Sequence, residues 1–252
     1  MNFIKKTLAF LWHIWFLIVA GLPIIIFSPF ILISIVFDSI QAFFPWFKHT
    51  WGAWVTFWMG FNVKIIDKKK IDPKQSYVFI SNHTSIMDIF LMLKIIHQAF
   101  VFVGKESIGK LPIFGYLYKK SNVTVDRDSP KSRKNVYDQV ERFIKRGNSI
   151  AIYVEGGIPS DTSTVLNKFK TGAFRMAIEH QLNIVPMVFL DNKRKFPYDY
   201  FHGNPGTLRV KMLPIINTKD LTLDNMTDLI DYTYTLMYNE LMNDEISKSF
   251  SK

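Results

Sequence analysis

Between Lys6 and Asp38 the chain runs for 31 residues without a formal charge, and no other feature narrows its fold as sharply. The stretch carries Trp12, Trp15, Phe16 and the run Ile24-Ile25-Ile26-Phe27, so it needs apolar surroundings rather than water. A signal peptide has a shorter apolar region and a small-residue cleavage site, and neither fits here. As one straight helix the stretch would be about 46 Å long, against a hydrocarbon core of roughly 30 Å. Gly21, Pro23 and Pro29 predict a break near its middle, with each half too short for a full span. Aromatic residues continue through Phe43, Phe44, Trp46, Phe47, Trp51, Trp54, Phe57 and Trp58. Lys5 and Lys6 precede the stretch, and Lys48, Lys64 and Lys68-Lys69-Lys70 follow it, which predicts that both ends lie on one, cytoplasmic, side. The expectation is a broken helical hairpin dipping into one leaflet, with residues 1–58 as a membrane-associated unit and 59–252 as a separate domain.

After residue 60 the pattern alternates. Strand-like apolar runs occur at Val63–Ile66, Tyr77–Ile80, Ala99–Val103, Asn122–Val125, Ile150–Val154, Ile184–Phe189 and Thr207–Met212. Helix-like periodicity occupies Ile86–Ile96, Pro130–Arg146 and Thr171–Gln181, and the tail Leu221–Ile246 spaces its apolar residues as an amphipathic helix. Strands alternating with helices predict an α/β fold, a mostly parallel sheet flanked by helices. Sites in such sheets form at the carboxyl ends of strands. The 252 residues suffice for one α/β domain with an appendage.

Composition removes several chemistries. There is no cysteine, hence no disulfide, thiolate nucleophile or cysteine metal site. No Walker-type phosphate loop and no cluster with metal-ligand spacing is present. Lys and Arg outnumber Asp and Glu by 31 to 21, and the first 220 residues hold 29 bases against 15 acids. That excess suits a phosphate-bearing partner or an anionic membrane. The apolar N-terminus argues for the membrane and against nucleic acid.

The segment Asn82-His83-Thr84-Ser85-Ile86-Met87-Asp88 falls between an expected strand and an expected helix. Asp88, one turn into the helix, can fold back to hold the His83 ring in one tautomer and stabilise its cation, which makes His83 a candidate general base. Ser85-x-x-Asp88 also reads as a plain helix cap. Three further polar stretches end strands: Val103-Gly104-Lys105-Glu106, Val123-Thr124-Val125-Asp126-Arg127 and Ile152-Tyr153-Val154-Glu155-Gly156-Gly157. Each alone is an ordinary loop. Together on one sheet edge they would supply a base, two cations and exposed backbone amides, the parts needed to deprotonate a hydroxyl beside a bound phosphate.

With these blocks in order, the chain resembles the glycerolipid acyltransferase family, most closely the bacterial 1-acyl-glycerol-3-phosphate acyltransferases. The His-x-x-x-x-Asp block is His83 to Asp88, preceded by the usual Asn82. The second block, a strand ending in Arg, matches Val123 to Arg127. The third, usually Phe-Pro-Glu-Gly-Thr-Arg, is Tyr153-Val154-Glu155-Gly156-Gly157-Ile158, and the fourth is Ile184-Val185-Pro186-Met187-Val188. Phe169 to Phe174 looks like the family's connector between the last two. The likeness covers roughly residues 60–215 and implies direct acyl transfer from acyl-CoA or acyl-carrier protein to the free hydroxyl of a lysophospholipid. It implies His83 as base, Asp88 as its orienting partner, and Arg127, Glu155, Gly156, Gly157 and Pro186 as substrate-binding residues, to which Lys105 is added from its place just beyond a strand. Neither metal nor cofactor is required, because a thioester is already activated. The implied location is the cytoplasmic face of a bacterial inner membrane. Gly157-Ile158 departs from the family's Thr-Arg, whose arginine is thought to help hold the acceptor's phosphate. Lys105, Arg127, Lys168, Lys170 or Arg175 could compensate, or the acceptor is a different lysolipid, such as an aminoacyl lipid. The rival class is a non-catalytic, membrane-binding scaffold.

Overall fold

The computed structural model describes residues 3–36, 40–111, 114–126, 129–159, 161 and 163–244. The first element is one helix, α1 (Phe3–Val36), and the second, α2 (Ile40–Trp58), returns along it. Trp15 meets Trp58, Val19 meets Trp54 and Phe27 meets Phe47, so the two helices are antiparallel. The break expected at Gly21–Pro23 is absent: α1 continues through both Pro23 and Pro29.

The reason lies in what the prolines leave behind. Proline at position i offers no N–H to the carbonyl at i−4, so Pro23 orphans the Val19 carbonyl and Pro29 that of Ile25. Trp54 of α2 donates its indole Nε1–H to Val19 O at 3.1 Å, and Ser28 donates its hydroxyl to Ile25 O at 2.7 Å. Each freed acceptor is satisfied again by a side chain, which is what permits proline inside an apolar helix. By length and composition, Phe3–Phe30 is long and apolar enough to cross a membrane.

The remaining elements form a seven-stranded sheet of order β1-β7-β6-β2-β5-β3-β4. Its strands are β1 (Phe61–Ile66), β2 (Val78–Ser81), β3 (Phe100–Lys105), β4 (Val123–Val125), β5 (Ser149–Tyr153), β6 (Ile184–Phe189) and β7 (Gly206–Met212). All seven fall on the expected apolar runs. Only the β6–β7 pairing is antiparallel, so the sheet is mostly parallel as expected. Helices α3 (Met87–Ile95), α5 (Pro130–Lys145), α6 (Gly172–Glu179) and α8 (Met226–Asn243) match the periodic stretches. The short helices α4 (Phe114–Ser121) and α7 (Asn192–Lys195) carry too little periodicity to have been read.

Helix α2 is also bound into the domain. Gly52 lies against α3 so closely that a Cβ there would stand 2.6 Å from both Lys94 N and Phe90 O. The buried Lys48 ammonium donates to Phe100 O at 2.8 Å and Ser121 O at 3.3 Å, tying α2 to the start of β3 and the end of α4. The core on this face gathers Phe16, Val55, Met59, Phe90 and Leu91 against the sheet residues Phe79, Val185 and Leu208. The other face buries Phe174, Ile178 and Met237 of α6 and α8.

Candidate active site

Five strands, β2 to β6, deliver their carboxyl ends to one edge. Ser81 ends β2 opposite Tyr153 of β5 and Met187 of β6, and β3 lies next to β5 and ends at Lys105 opposite Val125. Asn82 carries the β2 backbone past its last residue by side-chain mimicry. Its Oδ1 accepts from Phe189 N at 2.8 Å and its Nδ2 donates to Phe189 O at 3.1 Å. That pairing aims the next residue, His83, out of the sheet and into the turn before α3.

His83 Nδ1 lies 2.9 Å from Asp88 Oδ2, and Asp88 is wholly buried. The same oxygen accepts the backbone N–H of Thr84 at 2.6 Å and of Ser85 at 2.8 Å, while Oδ1 accepts Asn192 Nδ2 at 2.6 Å. A carboxylate so surrounded is an acceptor everywhere, so the His83 ring presents Nδ1–H to it and turns Nε2 away from Asp88. The His83 side chain is 14% exposed, enough for a proton to reach it. Its ring stacks on Tyr153 at 3.9 Å and 12°. Burial pushes the Tyr153 phenol well up, so this stacking partner is neutral. Ser85 is occupied: its hydroxyl donates to Phe196 O and accepts from Met87 N.

Glu155 holds the turn from the other side. Oε1 accepts His83 N and Oε2 accepts Asn167 N, each at 2.8 Å, so one buried carboxylate joins the His83 turn to the loop after β5. Burial pushes the Glu155 carboxyl up, against the pull of those two N–H groups and of His83. Gly156 has φ +79°, a left-handed conformation that a side chain resists, and its amide donates to Tyr153 O at 3.0 Å. The Gly156 amide is thus spent on the turn, whereas the Gly157 amide has no partner among the described residues.

The other expected site residues divide. Lys105 is exposed on the same edge, and Lys168 and Lys170 are exposed in the loop after Glu155. Arg175 lies on α6, where Nε donates to Glu179 at 2.6 Å and the guanidinium covers Tyr137, so its charge is already engaged. Pro186 is buried mid-strand opposite Ile80 with no surface to offer a ligand. It sits where the pairing of β6 with the chain after β7 slips by one residue, a place where a strand tolerates a missing N–H. Arg127 lies outside the described residues. Among the described residues no group of three His, Cys, Asp or Glu could hold a metal ion.

Sequence reasoning missed Asn192. It opens α7 directly after β6 and is held there by Asp191, which takes the Arg209 guanidinium at 2.8 Å and its backbone N–H at 2.8 Å. Arg209 also reaches Asp244 at 2.7 Å, so α7 is tied to β7 and to the end of α8. A polar Asp-Asn pair at the carboxyl end of a fully apolar strand was the available signal.

An imidazole held by a buried carboxylate on the carboxyl edge of a mostly parallel sheet, with glycine-rich backbone beside it, is an arrangement suited to taking a proton from a hydroxyl. The Acyltransferase family model matches residues 62–190 of this chain, and the chain belongs to that family. It is 30% identical to the 1-acyl-sn-glycerol-3-phosphate acyltransferase of Escherichia coli, over 72% of this chain and 74% of that protein. The enzyme of the same name from Haemophilus influenzae is 29% identical over 76% of this chain and 82% of its own. The crystal structure of the 1-acyl-sn-glycerophosphate acyltransferase of Thermotoga maritima superposes with a TM-score of 0.77 at 17% identity, covering 96% of this chain and 97% of that one. That likeness is one of fold.

Proposed function

We propose that this acyltransferase transfers a fatty acyl group from acyl-CoA or acyl-carrier protein to the free hydroxyl of lysophosphatidic acid, giving phosphatidic acid, at a membrane to which α1 and α2 attach it. The observation that carries the reading is the His83–Asp88 pair, with Nδ1 2.9 Å from the buried carboxylate. Nε2 takes the proton of the acceptor hydroxyl as its oxygen attacks the thioester carbonyl. The thiol leaves on collapse of the tetrahedral intermediate and the His83 proton passes to it. Asp88 stabilises the transient imidazolium, and the Gly157 amide, which has no partner among the described residues, is the donor offered to the developing oxyanion. The names of the similar enzymes supply the acceptor class. Ile158, in place of the family arginine, leaves Lys105 and Arg127 to receive the phosphate.

The acceptor is tested by offering purified protein lysophosphatidic acid, lysophosphatidylglycerol, lysophosphatidylethanolamine and an aminoacyl lysolipid with each donor, and analysing the lipid products. Phosphatidic acid as the main product is expected. Preference for a phosphodiester or aminoacyl headgroup would move the acceptor to the other lysolipids. Absence of thiol release with every pair would leave the scaffold reading.

A further inference from the structure

Residues 193–201 read Lys-Arg-Lys-Phe-Pro-Tyr-Asp-Tyr-Phe, three basic residues followed by four aromatics, and the catalytic geometry uses none of those side chains. The segment is a closed loop. At its neck Asn204 N donates to Lys195 O at 3.0 Å, and Lys195 Nζ donates to Asn204 Oδ1 at 2.6 Å and to Pro205 O at 3.1 Å. Phe196 plugs inward, 4.5 Å from His13 and 4.9 Å from Phe16 of α1. The other aromatics turn outward: Tyr198 is 60% exposed, Tyr200 52% and Phe201 50%. One exposed aromatic is ordinary on a protein surface. Three within four residues, presented by a loop with a tied neck, leave an apolar patch that the described residues do not cover.

That patch is continuous with α1. Phe201 stacks on Phe10 at 5.9 Å and Tyr200 lies 5.3 Å from His13, beside the exposed Leu8, Leu11, Ile14 and Trp15. Lys5 and Lys6 are exposed about one turn before Phe10. Tyrosine and tryptophan favour the boundary between acyl chains and headgroups, and lysines beside them favour anionic lipid. We propose that the tip of this loop, Tyr198 to Phe201, is a second membrane contact, inserted at the headgroup level of an anionic bilayer beside α1. The loop also carries the Phe196 carbonyl that accepts the Ser85 hydroxyl, in the turn that holds His83. Seating the tip in the interface therefore sets the height of the catalytic turn above the lipid. The inference rests on the membrane attachment proposed above and is independent of the acyl-transfer chemistry.

The chain has no cysteine, so single cysteines report cleanly. Tyr198→Cys and Tyr200→Cys probe the tip. Lys219→Cys, exposed at the amino end of β6 on the opposite sheet edge, is the reference. Each full-length variant is labelled with the fluorophore NBD and bound to phosphatidylglycerol vesicles containing shallow spin-labelled lipid. The expected result is emission shifted to shorter wavelength and quenched at 198 and 200, with 219 unchanged. Aqueous emission at both tip positions on vesicles that have bound the protein overturns the proposal, and so does failure to bind vesicles. A probe that embeds in a protein inactive on lysophosphatidic acid would instead remove the acceptor assignment and leave this inference standing.

Discussion

Asn192 and Asp88 are 104 residues apart in sequence, yet Nδ2 of the first donates to Oδ1 of the second over 2.6 Å. With Oδ2 taken by His83, Thr84 and Ser85, this bond completes the ring of donors around a buried carboxylate. Asn192→Ala leaves Oδ1 buried without its donor, a loss of roughly 1–3 kcal/mol in the charged state. The expected outcome is a fall in kcat of about tenfold or more, with little change in KM for either substrate and a displaced pH–rate profile. An unchanged profile with unchanged kcat would make Asn192 a packing residue.

His83→Ala removes the proposed base, and transfer should fall by about 100- to 10,000-fold while the fold persists, because His83 stands on a turn. Asp88→Asn is expected to be nearly as damaging. If its oxygen faces the turn amides, its NH2 group faces the donor Nδ2 of Asn192, and if it flips, NH2 faces two backbone N–H groups. Neither orientation balances an imidazolium. Thiol release near the wild-type rate from a folded His83→Ala protein would remove His83 from the mechanism.

The seven strands and helices α3, α5, α6 and α8 were legible because each buries an apolar run or a periodic face. His83, Asp88 and Glu155 were legible as local patterns at strand ends. Asn192 was not, since its partner is fixed only when β2 and β6 are neighbours in the sheet. The continuity of α1 was hidden for the same reason. The rule that proline breaks a helix assumes an orphaned carbonyl, and the donor that rescues Val19 is 35 residues away on α2. Lys48 reads as a flanking surface charge, but it is buried on the Phe100 carbonyl.

The Asp191–Arg209 pair should make the site sensitive to acid. Burial raises the Asp191 carboxyl, but hydrogen bonds from the Arg209 side chain and backbone, and from Arg194, outweigh it and hold it below the usual carboxylate range. A depressed acid contributes stability that is present above its unfolded pKa and is lost as pH falls through the folded one. Arg209→Met removes that contribution and unseats α7 with Asn192. Its thermal midpoint should fall at neutral pH, and the gap from the unmutated protein should close as the pH drops into the acidic range. A gap that stays constant would show that the pair adds no pH-dependent stability.

Position 158 tests whether this chain holds an acceptor phosphate beside the Glu155 loop. Ile158→Arg restores the family residue in the loop that Glu155 anchors. Charge-assisted bonds to a phosphate are worth about 1.5–3 kcal/mol, so KM for lysophosphatidic acid should drop by roughly tenfold while KM for the thioester stays put. Arg127→Ala should act in the opposite sense on the same constant. If Ile158→Arg leaves both constants unchanged, the acceptor's phosphate lies elsewhere.

Trp54 and Pro23 should be coupled in a double-mutant cycle. Trp54→Phe keeps most of the ring but deletes the N–H that satisfies Val19 O, leaving an acceptor with no donor in apolar surroundings. That should cost about 1–3 kcal/mol, read as a lower thermal midpoint in detergent. Pro23→Ala alone should change little, because the carbonyl it relieves is already satisfied. In the Trp54→Phe background, however, the new N–H of residue 23 can bond Val19 O in the ordinary helical way, so the double variant should regain most of the loss. The two substitutions would then be strongly non-additive, as expected for groups that share one acceptor. Simple additivity would mean that the indole bond is not what carries the helix through Pro23.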